Sequence, residues 1–207
     1  MDKIGWLELD KTSGSSSGTV IVKAEAHTGR LDKEQTLVWV AKGAEGVPDV
    51  PRTVKQLGKS EFVNIPNIRY EVSQAGGTLT ITGTSNAKTL TFDVINNAIN
   101  MEVPNVYLIG NTDIDNGKGH PDDPGKANQY EFKLVFNNIP SNSGIEDKTA
   151  TLKIWGSNTN IIDSCTIVSS ASSAILTVTP EIITLNADGG TGEFTITSNI
   201  GWEIKGQ

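Results

Sequence analysis

Few side chains in this sequence could do chemistry, and most of those that could lie in one run: Asn111-Thr112-Asp113-Ile114-Asp115-Asn116-Gly117-Lys118-Gly119-His120-Pro121-Asp122-Asp123. Oxygen-bearing residues in alternation suit Ca²⁺, a hard cation that takes oxygen ligands from carboxylates, amides and backbone carbonyls. Asn111, Asp113 and Asp115 occupy positions 1, 3 and 5 of an EF-hand-type loop, and Asp122 falls at position 12. The glycine such a loop needs is displaced by one residue and the flanks carry no helical signal. A long solvated hairpin insertion accounts for the same residues. Projecting from a rigid scaffold, it is also where an interaction surface would sit.

Other constellations read more simply. Gly14-Ser15-Ser16-Ser17-Gly18 matches the nucleophile-elbow pattern in form, yet it precedes a strand signal and not a helix, and reads as a low-complexity turn. His27 and His120 are the only histidines and fall in different parts of the chain. Neither a zinc site nor a Ser-His-acid triad can be assembled from them, and both are expected in solvent-facing loops. Trp6 and Trp202 could stack on a pyranose face while neighbouring Asn, Asp and Gln bind hydroxyls; packing in a core or at its rim is the simpler role. Trp39 and Trp155 sit in alternating runs and read as structural. Cys165 lies in Ser164-Cys165-Thr166-Ile167-Val168 and reads as a buried strand residue. No catalytic residue is assigned, and an enzyme is the class least favoured.

The elements that must position these residues are strands. Period-2 runs rich in Thr, Val and Ile, bounded by Gly, Asn, Asp and Ser, predict strands at 19–24, 35–41, 52–56, 78–83, 89–95, 130–136, 149–155, 163–169, 174–178 and 193–198. Many short strands with closely spaced turn signals predict an all-β protein of immunoglobulin-like β-sandwiches. The chain also repeats itself. Gly76-Gly77-Thr78-Leu79-Thr80-Ile81-Thr82-Gly83-Thr84-Ser85-Asn86 matches Gly189-Gly190-Thr191-Gly192-Glu193-Phe194-Thr195-Ile196-Thr197-Ser198-Asn199 at an offset of 113 residues. Val20-Ile21-Val22 matches Lys133-Leu134-Val135 at the same offset, and Thr36-Leu37-Val38-Trp39 matches Thr151-Leu152-Lys153-Ile154 at 115. A fixed period sets the domain count. Residues 61–172 form one module, and residues 1–60 together with 173–207 form the two parts of a second. Neither end has enough strands to cover its own apolar face. The two could close on each other in cis as a permuted domain, or pair between neighbouring chains by strand exchange.

Composition narrows the partners. A formal net charge of −7 with 17 basic against 24 acidic residues, and no basic cluster, argues against a nucleic-acid footprint. No window approaches the ~18 apolar residues of a membrane span, and a single cysteine leaves no internal disulfide framework. Read from Met1, the opening Met1-Asp2-Lys3-Ile4-Gly5-Trp6-Leu7 has no apolar core region of a secretory signal.

Read with the C-terminal piece first, the split module resembles the BACON domains, immunoglobulin-like modules of gut Bacteroidetes and their phages. The resemblance rests on Leu176-Thr177-Val178-Thr179-Pro180, Gly189-Gly190, Ser198-Asn199-Ile200-Gly201-Trp202, Trp6-Leu7, Ser13-Gly14, Thr36-Leu37-Val38 and Val54-Lys55-Gln56-Leu57-Gly58. Arg30 stands a few residues earlier than the arginine of the family pattern. The middle module keeps Gly76-Gly77 and Ser85-Asn86 but lacks the Trp after the Asn, the Trp-Leu pair and the closing Gln. The resemblance implies a non-enzymatic protein. Without a secretory signal it points to a phage virion component made in the bacterial host cytoplasm: a capsid decoration (auxiliary capsid) protein with the major capsid or other virion proteins as partners, self-association by strand exchange, and contact with mucus glycans. The alternative is a carbohydrate- or mucin-binding module of a gut bacterium using Trp6, Trp202 and the loop around Asp113. A third reading, a Ca²⁺-dependent adhesin fragment, needs that loop to hold metal.

Overall fold

A computed structural model of the chain describes residues 2–206. In the N-terminal region, strands β1 (Asp2–Ile4), β2 (Leu7–Leu9) and β3 (Val22–Ala24) form one antiparallel sheet in that order, and β4 (Lys33–Trp39) and β5 (Val50–Gln56) pair as a separate two-stranded sheet. Between them lies a small core of Leu7, Leu9 and Leu37, flanked by Trp6, Val20, Val22 and Val54.

The middle region supplies β6 (Val63–Asn64), β7 (Arg69–Val72), β8 (Gly77–Ser85), β9 (Thr91–Ile95), β10 (Val106–Ile109), β11 (Thr112–Asp115), β12 (Tyr130–Ile139), β13 (Lys148–Trp155) and β14 (Ile162–Ser169). They build a five-stranded sheet, β11-β10-β12-β8-β6, and a four-stranded sheet, β7-β14-β13-β9. Among the described residues, β7 and β14 pair in parallel and the other pairings of this region are antiparallel. Alternation explains the core. On β12, Tyr130, Phe132, Leu134 and Phe136 point inward; on β13, Ala150, Leu152 and Ile154 answer them from the facing sheet. The C-terminal segment holds one hairpin, β15 (Leu176–Thr179) with β16 (Thr195–Ser198). Leu176, Val178, Phe194 and Trp202 in this segment are each about half-exposed.

The predicted strands are all present, with ends shifted by a few residues. The very short β1, β2 and β6, with β7, β10 and β11, escaped the sequence pattern because two to four residues are too few to show a period. Cys165 is buried as expected, and burial pushes its thiol up to about 11, away from nucleophile chemistry at neutral pH.

Tyr107 carries a testable consequence of this core. Its ring meets Phe92 edge-on at 6.3 Å, its hydroxyl donates to the Lys118 carbonyl at 2.7 Å, and burial pushes the phenol up to about 12. An unfolded tyrosine ionises near ~10. The folded form therefore keeps a proton that the unfolded form loses, so this contribution to stability is whole below about pH 10 and fades as the pH climbs towards about 12. Burial raises Tyr130 in the same direction. Urea midpoints should fall steeply across that window, and Tyr107→Phe should flatten part of the fall; an unchanged slope would contradict the assignment.

Candidate functional site at the module joint

The densest polar constellation lies where the N-terminal region meets the middle sandwich, and it centres on Asn86. This residue directly follows β8, is fully buried, and ties three segments together. Its Oδ1 accepts from the Phe62 amide at 2.9 Å, and its Nδ2 reaches the carbonyls of Thr28 (3.1 Å), Ser60 (3.2 Å) and Lys59 (3.3 Å). Its own carbonyl accepts from Arg30 Nε at 2.6 Å, and the Arg30 guanidinium also pairs with the Asp123 carboxylate. Backbone bonds complete the grip: Arg30 N to Gly125 O at 3.0 Å and Leu31 N to Lys126 O at 3.1 Å. The two surfaces approach so closely that glycine is required. A Cβ on Gly29 would meet the Ala127 backbone, and one on Gly125 would meet the Asn86 carbonyl.

The structure distributes the other candidates differently from expectation. Asn111 stands at the turn of the β10–β11 hairpin, and Asp113 and Asp115 lie exposed on β11, paired in register with Leu108 and Val106. A strand holds these side chains along an extended line; it does not wrap them about a point. Asp122 lies exposed beyond it, beside His120. No group of three or more His, Cys, Asp or Glu side chains stands close enough to share a cation among the described residues. The segment is a hairpin, as one sequence reading expected, but its second half is laced down. Asn116 bonds both the amide and the carbonyl of Phe92 (3.0 and 2.9 Å), and Gly117 N donates to Leu90 O.

The histidines need correction. His27 is buried, with Nε2 bonded to the Leu31 carbonyl at 2.6 Å, because it props the loop that enters the joint. His120 is mostly covered and accepts from the Asp122 amide through Nδ1 at 3.1 Å. The Gly14–Gly18 turn is exposed, as expected.

Trp6 packs on the small N-terminal core, whereas Trp202 lines an open groove of about 220 Å³ on the C-terminal hairpin with Leu176, Val178, Phe194, Ile196 and Ile204. The two tryptophans stand in separate surroundings: the region of Trp6 is bonded to Asn86 at the end of β8, and the hairpin of Trp202 is bonded to Ser143. A second groove, of about 400 Å³, is more polar: Glu102, Asn105, Asn137 and Asn138 line it beside Leu108 and Val135. The bulge between Phe136 and Ile139 turns Asn137 and Asn138 out of the β12 register.

Sequence reasoning singled out neither Asn86 nor Asp123 as a functional residue. The signal that could have found Asn86 was already there, the Ser-Asn pair conserved in both repeats at identical spacing. Replacing Arg30 by Ala removes two polar links across the joint without touching either core. The expected outcome is faster protease cleavage within residues 28–31 or 57–61, while the melting of the middle sandwich moves by less than about 1 kcal/mol. Unchanged cleavage would deny Arg30 its part in the joint.

These features define the class of protein: an all-β chain of β-sandwich type, with separate sheets joined through a buried asparagine. No family model matches the chain, and no curated protein matches it. Among solved structures it is similar to an endo-fucoidan hydrolase of glycoside hydrolase family 107, at 13% identity and a TM-score of 0.28, over 84% of this chain and 23% of that one. The chain thus spans about a quarter of that protein's length, and a likeness so slight carries no argument about activity.

Proposed function

We propose that the chain is a non-enzymatic structural protein, an auxiliary or decoration component displayed on a phage particle, whose jointed immunoglobulin-like modules project from the surface as a stiff spacer. The observation that carries the reading is the joint: Asn86, Arg30, Asp123 and two glycines hold successive modules in one orientation, which suits a spacer better than a catalyst. The side chains with most chemical potential support it too. His27 and Asp123 are engaged in holding loops, and Cys165 is buried. The assignment to a virion rests on the resemblance to BACON domains, with major capsid or other virion proteins as partners. Peptide mass spectrometry on density-banded phage particles tests it: a fixed ratio to the most abundant coat protein is expected, and absence from intact particles would overturn it.

The polar groove over Asn105, Asn137 and Asn138 favours a second reading, a carbohydrate- or mucin-binding module, since sugar hydroxyls need amide and carboxylate partners. On that reading, glycan-array binding is lost in Asn137→Ala and retained in Trp202→Ala. No glycan binding at all would eliminate it.

A further inference from the structure

The two ends of the chain carry complementary parts of a module, and the middle sandwich shows how such parts fit. Hairpin β15–β16 reproduces the β6–β8 pairing 113 residues on: Val63 faces Ser85 and Leu176 faces Ser198; Asn64 faces Thr84 and Thr177 faces Thr197. The caps repeat as well. Ser85 Oγ donates to Phe62 O at 2.7 Å and Ser198 Oγ to Ile175 O at 3.0 Å. The Phe62 amide donates to Asn86 Oδ1 at 2.9 Å and the Ile175 amide to Asn199 Oδ1 at 2.8 Å. At the other end, β4–β5 reproduces β13–β14, with Lys33 opposite Gln56 as Lys148 is opposite Ser169.

Each end lacks what the other has. In the middle sandwich β12 takes β8 along its edge and β14 takes β7; in the N-terminal region the corresponding edges, β3 and β5, are unpaired. The missing partners correspond to residues 190–198 and 182–185. Burial shows the same gap. Ile81 and Leu134, cross-strand partners, are each 0% exposed, while their counterparts Phe194 and Ile21 are 54% and 52% exposed. Val72 is 5% exposed and its counterpart Leu185 is 53%.

The two ends do not meet in this structure. The N-terminal region docks where β8 ends, at Asn86; the hairpin docks where β8 begins, with Asn199 Nδ2 bonded to Ser143 O at 3.2 Å and Asn142 N bonded to Gln74 O. Nine residues of strand separate these poles by about 30 Å.

We propose that the C-terminal segment of one copy completes the N-terminal half-sandwich of a second copy, Phe194 lying opposite Ile21 and the 182–185 segment running parallel to β5, so that copies join head to tail. The occupant is a second copy because this chain itself carries the matching register and caps; the groove around Trp202 is almost wholly apolar, which suits a buried sheet face. Such a heterologous contact propagates into rings or filaments. It stands whether or not the particle is a virion.

The test mixes two full-length variants, Ile21→Cys and Phe194→Cys, under mild oxidation; buried Cys165 stays silent. A disulfide-linked dimer of the two is expected, with none from Ile21→Cys mixed with Thr197→Cys, which lies three residues out of register. An internal disulfide in the double variant without mixed dimers would show closure in cis and overturn the proposal. Light scattering on the unmodified chain guards against misfolded variants: its mass should rise with concentration to about twice the monomer's or more, and a constant monomer mass would overturn the proposal as well.

Discussion

Asn86→Asp is expected to destabilise the middle sandwich by about 3 kcal/mol or more and to release the N-terminal region from it. The reason is direction. Asn86 accepts one hydrogen bond and directs its amide at three carbonyls. A carboxylate of the same shape keeps the acceptor, loses both donors, and faces those carbonyls with a buried charge. The defect should ease at acidic pH. Burial would raise the new carboxyl's folded pKa, so its charge penalty is absent below the unfolded value of ~3.9, grows as the pH rises from there, and is complete only above the raised folded value; protonation at low pH restores one donor. Asn86→Ala, which removes the groups without adding charge, should cost less. Urea unfolding at neutral pH and at about pH 4 checks the ranking. Equal effects of the two variants, or a defect insensitive to pH, would show that Asn86 is not the donor the geometry makes it.

Leu152→Ala should cost the middle sandwich about 3 kcal/mol, and the equivalent change in the N-terminal region, Leu37→Ala, should act in a different way. Leu152 is fully buried in a core fed by both sheets, so the cavity left by truncation has little freedom to collapse. For a domain of this size that loss lowers the melting temperature by ~4–8 °C per kcal/mol. Leu37 occupies the matching place in β4, but its cluster contains only Leu7 and Leu9 besides itself. Leu37 is itself buried at 6% exposed, but the core it loses in the isolated chain is much smaller than that around Leu152. Its truncation should also weaken association between copies, because the small core that Leu37 anchors is extended once a second copy supplies the missing strands. Calorimetry for Leu152→Ala and concentration-dependent light scattering for Leu37→Ala separate the two effects. A large thermal loss in Leu37→Ala with association intact would mean that the N-terminal region is already complete.

The sequence by itself determined the all-β class, the repeat and most of the strands, because those follow from local rules. Alternating Thr, Val and Ile report one buried face, and positive φ at Gly76, Gly77, Gly189 and Gly190 explains why Gly-Gly recurs in both repeats. It also placed Cys165 in the core. Tertiary structure decided what composition could not. His27 looks like a loop histidine until the chain folds it beneath Leu31. Asp113 and Asp115 look like a cation loop until β11 pairs with β10 and straightens them. Asp123, one more acid in a run of acids, acquires a role only when Arg30, 93 residues away in sequence, arrives beside it. Trp6 and Trp202 are neighbours in the repeat pattern, yet the fold gives them separate surroundings. Periodicity records which face of an element is buried; which distant element covers it is set by strand register and by the close approach at Gly29 and Gly125, and those depend on the whole fold at once.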